Sequence, residues 1–304
     1  MIPTFPKFRP LKQSDSKEVE YKIKVYPPYS DFNFVSMWSW NTKEEMQISL
    51  LHDNLVVKFN DYITGEPFLS FLGKNKISTT IKTLLEHSRE TGLNSGELKL
   101  VPEHIARKIN TKKYQVLEDP DHHDYIIHSN TFGSYNTKRT RTKKNSVKKF
   151  LKEFTPTIRE LDISKTDTQK EIVMLFEKWS KSRDHADIKN ESSALKRCLK
   201  GFKKHQLCVL GLYVNNKLSG FTITELLPKN YACIHFCKAD TSISSGVYAY
   251  MLMENARLLI KKGRNLINIE QDLGIKSMRQ WKASHDIHSF LKKYKITYNK
   301  PILK

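Results

Sequence analysis

The chain has 304 residues, 38% of them hydrophobic and 28% charged, and a net charge of +20. That length predicts about two domains, and the mixture excludes wholesale disorder. Four cysteines are too few for a disulfide scaffold and point to a reducing compartment. No apolar run approaches the ~18 residues of a membrane span. The opening Met1-Ile2-Pro3-Thr4-Phe5-Pro6 lacks a charged region followed by an apolar one, so no signal peptide is expected and a cytoplasmic location is.

The first half opens on Pro-rich, irregular sequence. An aromatic run follows (Tyr26, Tyr29, Phe32, Phe34, Trp38, Trp40) that reads as core packing. Leu55-Val56-Val57-Lys58-Phe59 and Phe68-Leu69-Ser70-Phe71-Leu72 read as strands around a turn at Gly65-Glu66-Pro67. Ile77 to His87 predicts a helix with Ile77, Ile81, Leu84 and Leu85 on one face, ended by Gly92. Leu98-Lys99-Leu100-Val101 predicts a short strand. The segment Glu118-Asp119-Pro120-Asp121-His122-His123-Asp124 reads as a turn and junction. Its adjacent histidines lack a ligand spacing, so no metal is expected there. The expected domains are residues 1–130 and 131–304.

Charge separates the two halves. Residues 1–130 carry 17 Lys+Arg and 17 Asp+Glu and are neutral; residues 131–304 carry 35 and 15. The second half therefore suits a polyanionic partner such as nucleic acid or an anionic membrane surface. The densest basic stretch holds Lys138, Arg139, Arg141, Lys143, Lys144, Lys148, Lys149 and Lys152. Val147, Phe150, Leu151 and Phe154 recur there at helical spacing, so a docked helix would present its lysines to solvent. These eight residues are the candidate polyanion contacts; the alternative is an ordinary solvated basic face.

Further on, helices are expected from Gln169 to Arg183 and from Ser192 to Lys204. Strands are expected at Gln206–Val214, Leu218–Leu226 and Tyr231–Lys238. On the third of these, Cys233, His235 and Cys237 alternate and would share a face. They supply only three ligands and read as core cysteines with a satisfied histidine, so no metal is expected. The polar loop Asp240 to Gly246 leads into an apolar helix from Val247 to Lys262, ended by Gly263. Its start, at Ser244, Ser245 and Gly246, offers free amides and a positive dipole end suited to a phosphate, or else ordinary capping. A strand at Leu266–Glu270, helices at Ile275–Ala283 and Ser289–Tyr294, and a strand at Lys295–Tyr298 complete the chain. Both halves share a faint pattern of paired strands, polar loop, helix ending near Gly and short strand, which suggests one duplicated α+β unit.

This order of elements resembles the acyltransferase fold of the GCN5-related N-acetyltransferase (GNAT) superfamily. Three stretches narrow the resemblance. They are Asp124-Tyr125-Ile126-Ile127 before the basic helix, Lys238-Ala239-Asp240 before the Gly246 helix, and Asn268-Ile269-Glu270-Gln271-Asp272-Leu273-Gly274-Ile275 followed by Arg279, Lys282 and Ser284. Together they resemble the family that shares the C-terminal domain of phosphatidylglycerol lysyltransferase, relatives of the Fem peptidyltransferases. The resemblance implies an α+β fold of tandem GNAT-like domains, with mixed central sheets flanked by helices and the C-terminal domain active. It also implies aminoacyl transfer from aminoacyl-tRNA to a lipid or peptide acceptor, with tRNA as partner, peripheral membrane contact and no required cofactor. A coenzyme A thioester is the alternative donor, although Ser242-Ile243-Ser244-Ser245-Gly246-Val247 lacks the Gln/Arg-x-x-Gly-x-Gly/Ala pattern that holds its pyrophosphate. A non-catalytic binder of nucleic acid or anionic lipid is the remaining alternative.

Within this reading Glu270 is the expected general base, and Asp272, two residues on, would project to the same side and orient it if the chain stays extended. The structural alternatives are an ion pair of Glu270 with Lys282 or Arg279, and Asp272 as the cap of the helix near Ile275. Lys282 is otherwise expected to neutralise a donor phosphate or an oxyanion.

Overall fold

The structure, a computed structural model, describes residues 1–181, 188–202 and 207–299. The expected element ends at Arg183, Lys204 and Gln206 lie outside those residues. Fourteen strands are described: β1 (Arg9–Pro10), β2 (Gln47–Leu51), β3 (Asn54–Asn60), β4 (Pro67–Leu72), β5 (Leu98–Pro102), β6 (Tyr114–Glu118), β7 (Asp124–His128), β8 (Thr157–Glu160), β9 (Leu207–Val214), β10 (Lys217–Leu226), β11 (Tyr231–Ala239), β12 (Leu266–Asn268), β13 (Ile287–Leu291) and β14 (Lys293–Tyr298). They form two seven-stranded sheets, ordered β1-β2-β3-β4-β5-β14-β6 and β13-β7-β12-β11-β10-β9-β8.

The two sheets follow one plan. In the first, β2, β3 and β4 form an antiparallel meander; the helix Ile77–Glu90 then carries the chain to β5, parallel to β4. In the second, β9, β10 and β11 form the meander, and the helix Val247–Lys261 leads to β12, parallel to β11. Helical crossovers of this kind are what a parallel neighbour requires. Beyond the parallel pair each sheet takes a strand from outside the sequence run: β14 lies between β5 and β6, and β7 beside β12.

That exchange corrects the expected boundary. One unit comprises Met1–His123 with the chain from Leu291 onward, the other Asp124–Phe290. The C-terminal strand is pinned into the first sheet by its ladders with β5 and β6. It is held further by Lys293, fully buried and ion-paired with Asp31. Divided this way, the units hold 22 basic against 16 acidic residues and 30 against 16, so their net charges are +6 and +14. The first unit is therefore not neutral; the C-terminal lysines make the difference.

Two local expectations also change. Ser289–Tyr294 is not a helix but the junction of β13 and β14. Phe290, Leu291 and Tyr294 have helical spacing, yet strand pairing decides so short a run. The N-terminal region is more regular than its prolines suggest, with helices at Ser16–Ile23 and Phe34–Trp40. Asn33 starts the latter by accepting the Ser36 N–H at 3.0 Å.

The core of the second unit forms between the helix Val247–Lys261 and one sheet face. Leu252, Met253, Ala256 and Leu259 pack there on Ile127, Ala232, Ile234 and Ile267. Each buried Leu, Ile or Met side chain among them contributes about 1.5–3 kcal/mol by leaving water. The expected basic helix is Arg141–Glu153. It docks through Val147 and Phe150, whereas Leu151 faces solvent, so its apolar stripe is narrower than the sequence suggests.

Candidate functional site

The site begins where two strands part. The parallel ladder between β11 and β12 ends at Cys233–Asn268, while β11 runs on to Ala239. Past Asn268 the chain turns away. Glu270 adopts φ 60° and Leu273 φ 55°, a left-handed backbone that costs a non-glycine residue roughly 1–2 kcal/mol. Extended geometry therefore stops before Glu270, and the expected projection of Glu270 and Asp272 to one side does not hold.

The turn is held by Lys282, only 4% exposed. Its ammonium donates to the carbonyls of Ile269, Glu270 and Gln271 at 2.7, 2.8 and 2.6 Å. The Asn268 side chain accepts the Glu270 N–H at 2.7 Å and donates to Asp124 at 3.2 Å. Lys282 is thus a structural cation, with all three ammonium donors engaged by carbonyls, and is not placed to neutralise a donor phosphate.

Asp272 is fully buried. It receives the Tyr125 hydroxyl at 2.5 Å, the Gly274 N–H at 2.8 Å and a two-pronged contact from Arg279 at 2.7 and 2.9 Å. Burial works to raise its pKa, but the bonds from Arg279, Tyr125 and Gly274 outweigh it and hold the carboxyl below its ordinary value. Tyr125 moves the other way, pushed up to about 12 by burial and then by Asp272. Asp272 fixes Tyr125 and Arg279 and shapes the turn; it is not arranged to orient the Glu270 carboxylate.

That carboxylate instead meets a cluster that the sequence assigned to the core. Glu270 Oε1 lies 3.5 Å from His235 Nδ1 and 3.9 Å from Cys233 Sγ. His235 Nε2 lies 3.0 Å from Glu225 Oε2. Burial disfavours the imidazolium, but Cys233, Glu225 and Glu270 together hold the ring's pKa well above the usual imidazole value. Burial also pushes the Cys233 thiol up to about 12. The Glu270 side chain, 23% exposed, reaches solvent.

A bulge builds this cluster. Ile223 pairs with Phe236 and Thr224 with Ile234, so His235 is the extra residue on β11. Beyond it the alternation reverses. Cys233 lies opposite Glu225 and Cys237 opposite Thr222, so the two cysteines face opposite sides of the sheet. Cys237 packs under the helix Val247–Lys261, its thiol pushed up to about 12 by burial. The expected common face of Cys233, His235 and Cys237 is thereby corrected. The sequence signal for Glu225 is a carboxylate inside the largely apolar strand Phe221–Leu227.

The expected phosphate grip lies elsewhere in the unit. Gly246 is buried, and a Cβ there would sit 2.2 Å from the Ser146 carbonyl oxygen. The glycine lets the basic helix pack against the helix start, so that backbone is occupied by protein. Ser244 accepts the Gly246 N–H on its side chain and the Val247 N–H on its carbonyl, each at 3.3 Å; Ser245 is exposed.

The eight basic candidates divide. Lys143 donates to the Ser284 carbonyl and hydroxyl at 2.7 and 2.8 Å, at the end of the helix Lys276–Ala283. Arg139 bonds the Ala283 carbonyl at 2.8 Å and lies 3.6 Å from Asp286. Lys144 donates to Asn136 at 2.7 Å, and Lys149 lies 4.0 Å from Glu153. Lys138, Arg141, Lys148 and Lys152 are exposed, and the last three share a helix face at i, i+7 and i+11.

The family model for the C-terminal region of phosphatidylglycerol lysyltransferase matches residues 24–297. No curated protein matches the sequence. Among solved structures, a protein of unknown function from Bacteroides thetaiotaomicron is 24% identical with a TM-score of 0.84, covering 98% of this chain and 100% of that one. L-PGS from Bacillus licheniformis is 12% identical with a TM-score of 0.61, covering 99% and 95%. FemX is 6% identical with a TM-score of 0.55, covering 95% and 96%. At these identities the likeness concerns fold alone, a tandem GNAT-like arrangement of two mixed sheets flanked by helices.

Proposed function

This chain belongs to the phosphatidylglycerol lysyltransferase C-terminal domain family, and we propose that it moves an aminoacyl group from aminoacyl-tRNA to the amine or hydroxyl of a lipid or peptide. The observation that carries this reading is the Glu270 carboxylate, partly exposed beside the end of the β11–β12 ladder and held there by Lys282 through the backbone. An acceptor amine or hydroxyl entering there gives its proton to Glu270 as its nitrogen or oxygen bonds to the ester carbonyl carbon. The tetrahedral adduct then collapses, the bond from that carbon to the ribose oxygen breaks, and the departing oxygen takes the proton back from Glu270. Bonds and protons balance with no further reactant.

The exposed Lys138, Arg141, Lys148 and Lys152 supply the phosphate contacts for the tRNA. The same face would rest on anionic headgroups where the acceptor is a lipid. Ser146 packed on Gly246 leaves that helix start poorly suited to a coenzyme A pyrophosphate and favours the tRNA donor.

The test is transfer of radiolabelled amino acids from a charged tRNA mixture to lipid and peptide fractions. Wild-type protein is expected to label one fraction. Glu270→Gln should lower kcat by about 100-fold or more, the usual worth of a general base, with tRNA affinity unchanged. Folded protein that transfers nothing from any charged tRNA overturns the reading, and an active Glu270→Gln removes the base.

A further inference from the structure

We propose that Cys233, His235 and Glu270 form a zinc-binding site with Glu225 as its outer support. This goes beyond the transfer reading and does not need it. The three residues bring together a sulfur, an imidazole nitrogen and a carboxylate oxygen, the ligand types that zinc takes.

Their spacing fits one ion. The separations are 3.9 Å from Cys233 Sγ to His235 Nδ1, 3.9 Å from Cys233 Sγ to Glu270 Oε1, and 3.5 Å from His235 Nδ1 to Glu270 Oε1. A tetrahedral ion with bonds of about 2.3 Å to sulfur and about 2.0–2.1 Å to nitrogen and oxygen separates its ligand atoms by about 3.3–3.6 Å. The cluster closes onto zinc by shifts of a few tenths of an ångström.

The second argument is the orientation of the ring. Glu225 accepts at His235 Nε2 at 3.0 Å, which places a hydrogen on that nitrogen and turns Nδ1 toward Cys233 and Glu270. A carboxylate behind a histidine is the usual device that fixes the tautomer and aim of a zinc-bound imidazole. The bulge at His235 serves the same geometry, since it puts the ring beside Cys233. Three protein ligands leave a fourth position for water, and the partly exposed Glu270 marks the way in. Sulfur and imidazole together exclude calcium and magnesium as the preferred ion.

The experiment uses the full chain stripped of metal, without tRNA or acceptor. Titration with Zn²⁺ is followed by calorimetry and titration with Co²⁺ by absorption. Wild-type protein is expected to bind one equivalent of each, with a thiolate-to-cobalt charge-transfer band and tetrahedral ligand-field bands. Cys233→Ser should abolish the band and Cys237→Ser keep it, and Glu225→Gln should weaken zinc about 10- to 100-fold. No heat and no cobalt band in the wild type, or a band that survives Cys233→Ser, overturns the proposal. Because the readout is binding alone, failed transfer leaves the zinc site standing and absent zinc leaves Glu270 as the base; with zinc bound, Glu270 is a ligand and not a free base, so transfer is assayed on the metal-free protein.

Discussion

Lys282 and His285 sit three residues apart and show how burial selects opposite charge states. Lys282 keeps its charge inside the protein because three carbonyls surround it. His285 has the Trp281 carbonyl 3.0 Å from Nδ1 and the Lys282 backbone nearby, while its Nε2 has no hydrogen-bond partner among the described residues. Its ring meets Phe132 and Trp281 edge-on. Burial, and then the nearby Lys143 charge, lower its pKa to about 4. In the unfolded chain the same ring protonates near pH 6.5. Between those values the unfolded state binds more protons, so stability is lost as pH falls from about 6.5 to 4, by up to about 3 kcal/mol. Denaturant midpoints of wild type and His285→Phe at pH 7.5 and 4.5 check this. The variant should lose markedly less stability over that interval, and parallel losses would assign the acid sensitivity to other groups.

At the scale of elements, the contact between the helices Arg141–Glu153 and Val247–Lys261 depends on an absent side chain. Gly246 has φ −89°, which any residue adopts, so its role is space rather than backbone freedom. A methyl group there would meet Ser146 backbone and the Phe150 Cβ at 2.8 Å or less, so the helices would have to separate. Gly246→Ala should therefore cost about 1–3 kcal/mol, the usual price of overpacking, whereas Ser245→Ala on the exposed side should be nearly neutral. Thermal unfolding of the two variants measures the difference. The sequence showed this glycine as a helix start but not the helix packed against it, because periodicity describes one element at a time. The same limit explains the site. The meander, the helix Val247–Lys261 and the Glu270 segment were legible from apolar spacing and the Glu-Gln-Asp-Leu-Gly run. The bulge at His235 was not, since alternation assumes an unbroken ladder, and the left-handed turn at Glu270 depends on Lys282, twelve residues away. The exchange of β7 and β14 was hidden for a related reason: Lys295–Tyr298 read as a short strand and Asp124–Ile127 as no element at all, and only their partners reveal which sheet each completes.

For the molecule as a whole, charge decides how a polyanion would bind. The unit Asp124–Phe290 carries +14, but its basic residues are not equivalent. Lys143 and Arg139 are engaged at the end of the helix Lys276–Ala283, where they complement its dipole. Arg141, Lys148 and Lys152 face water along one side of their helix and hold no such partner among the contacts described. Each cation that meets a phosphate releases counterions and adds about 0.7–0.9 to the steepness of log affinity against log salt. Replacing Lys148 and Lys152 together by Glu should thus weaken tRNA binding and reduce that slope by about 1.4–1.8. Lys143→Ala should leave the slope unchanged while lowering thermal stability, because it removes a helix cap rather than a phosphate contact. Filter binding across a salt series, with melting curves of the same variants, separates the two effects. A slope that falls with Lys143→Ala and not with the double replacement would move the polyanion face away from the exposed side of the basic helix, and the donor-binding assignment with it.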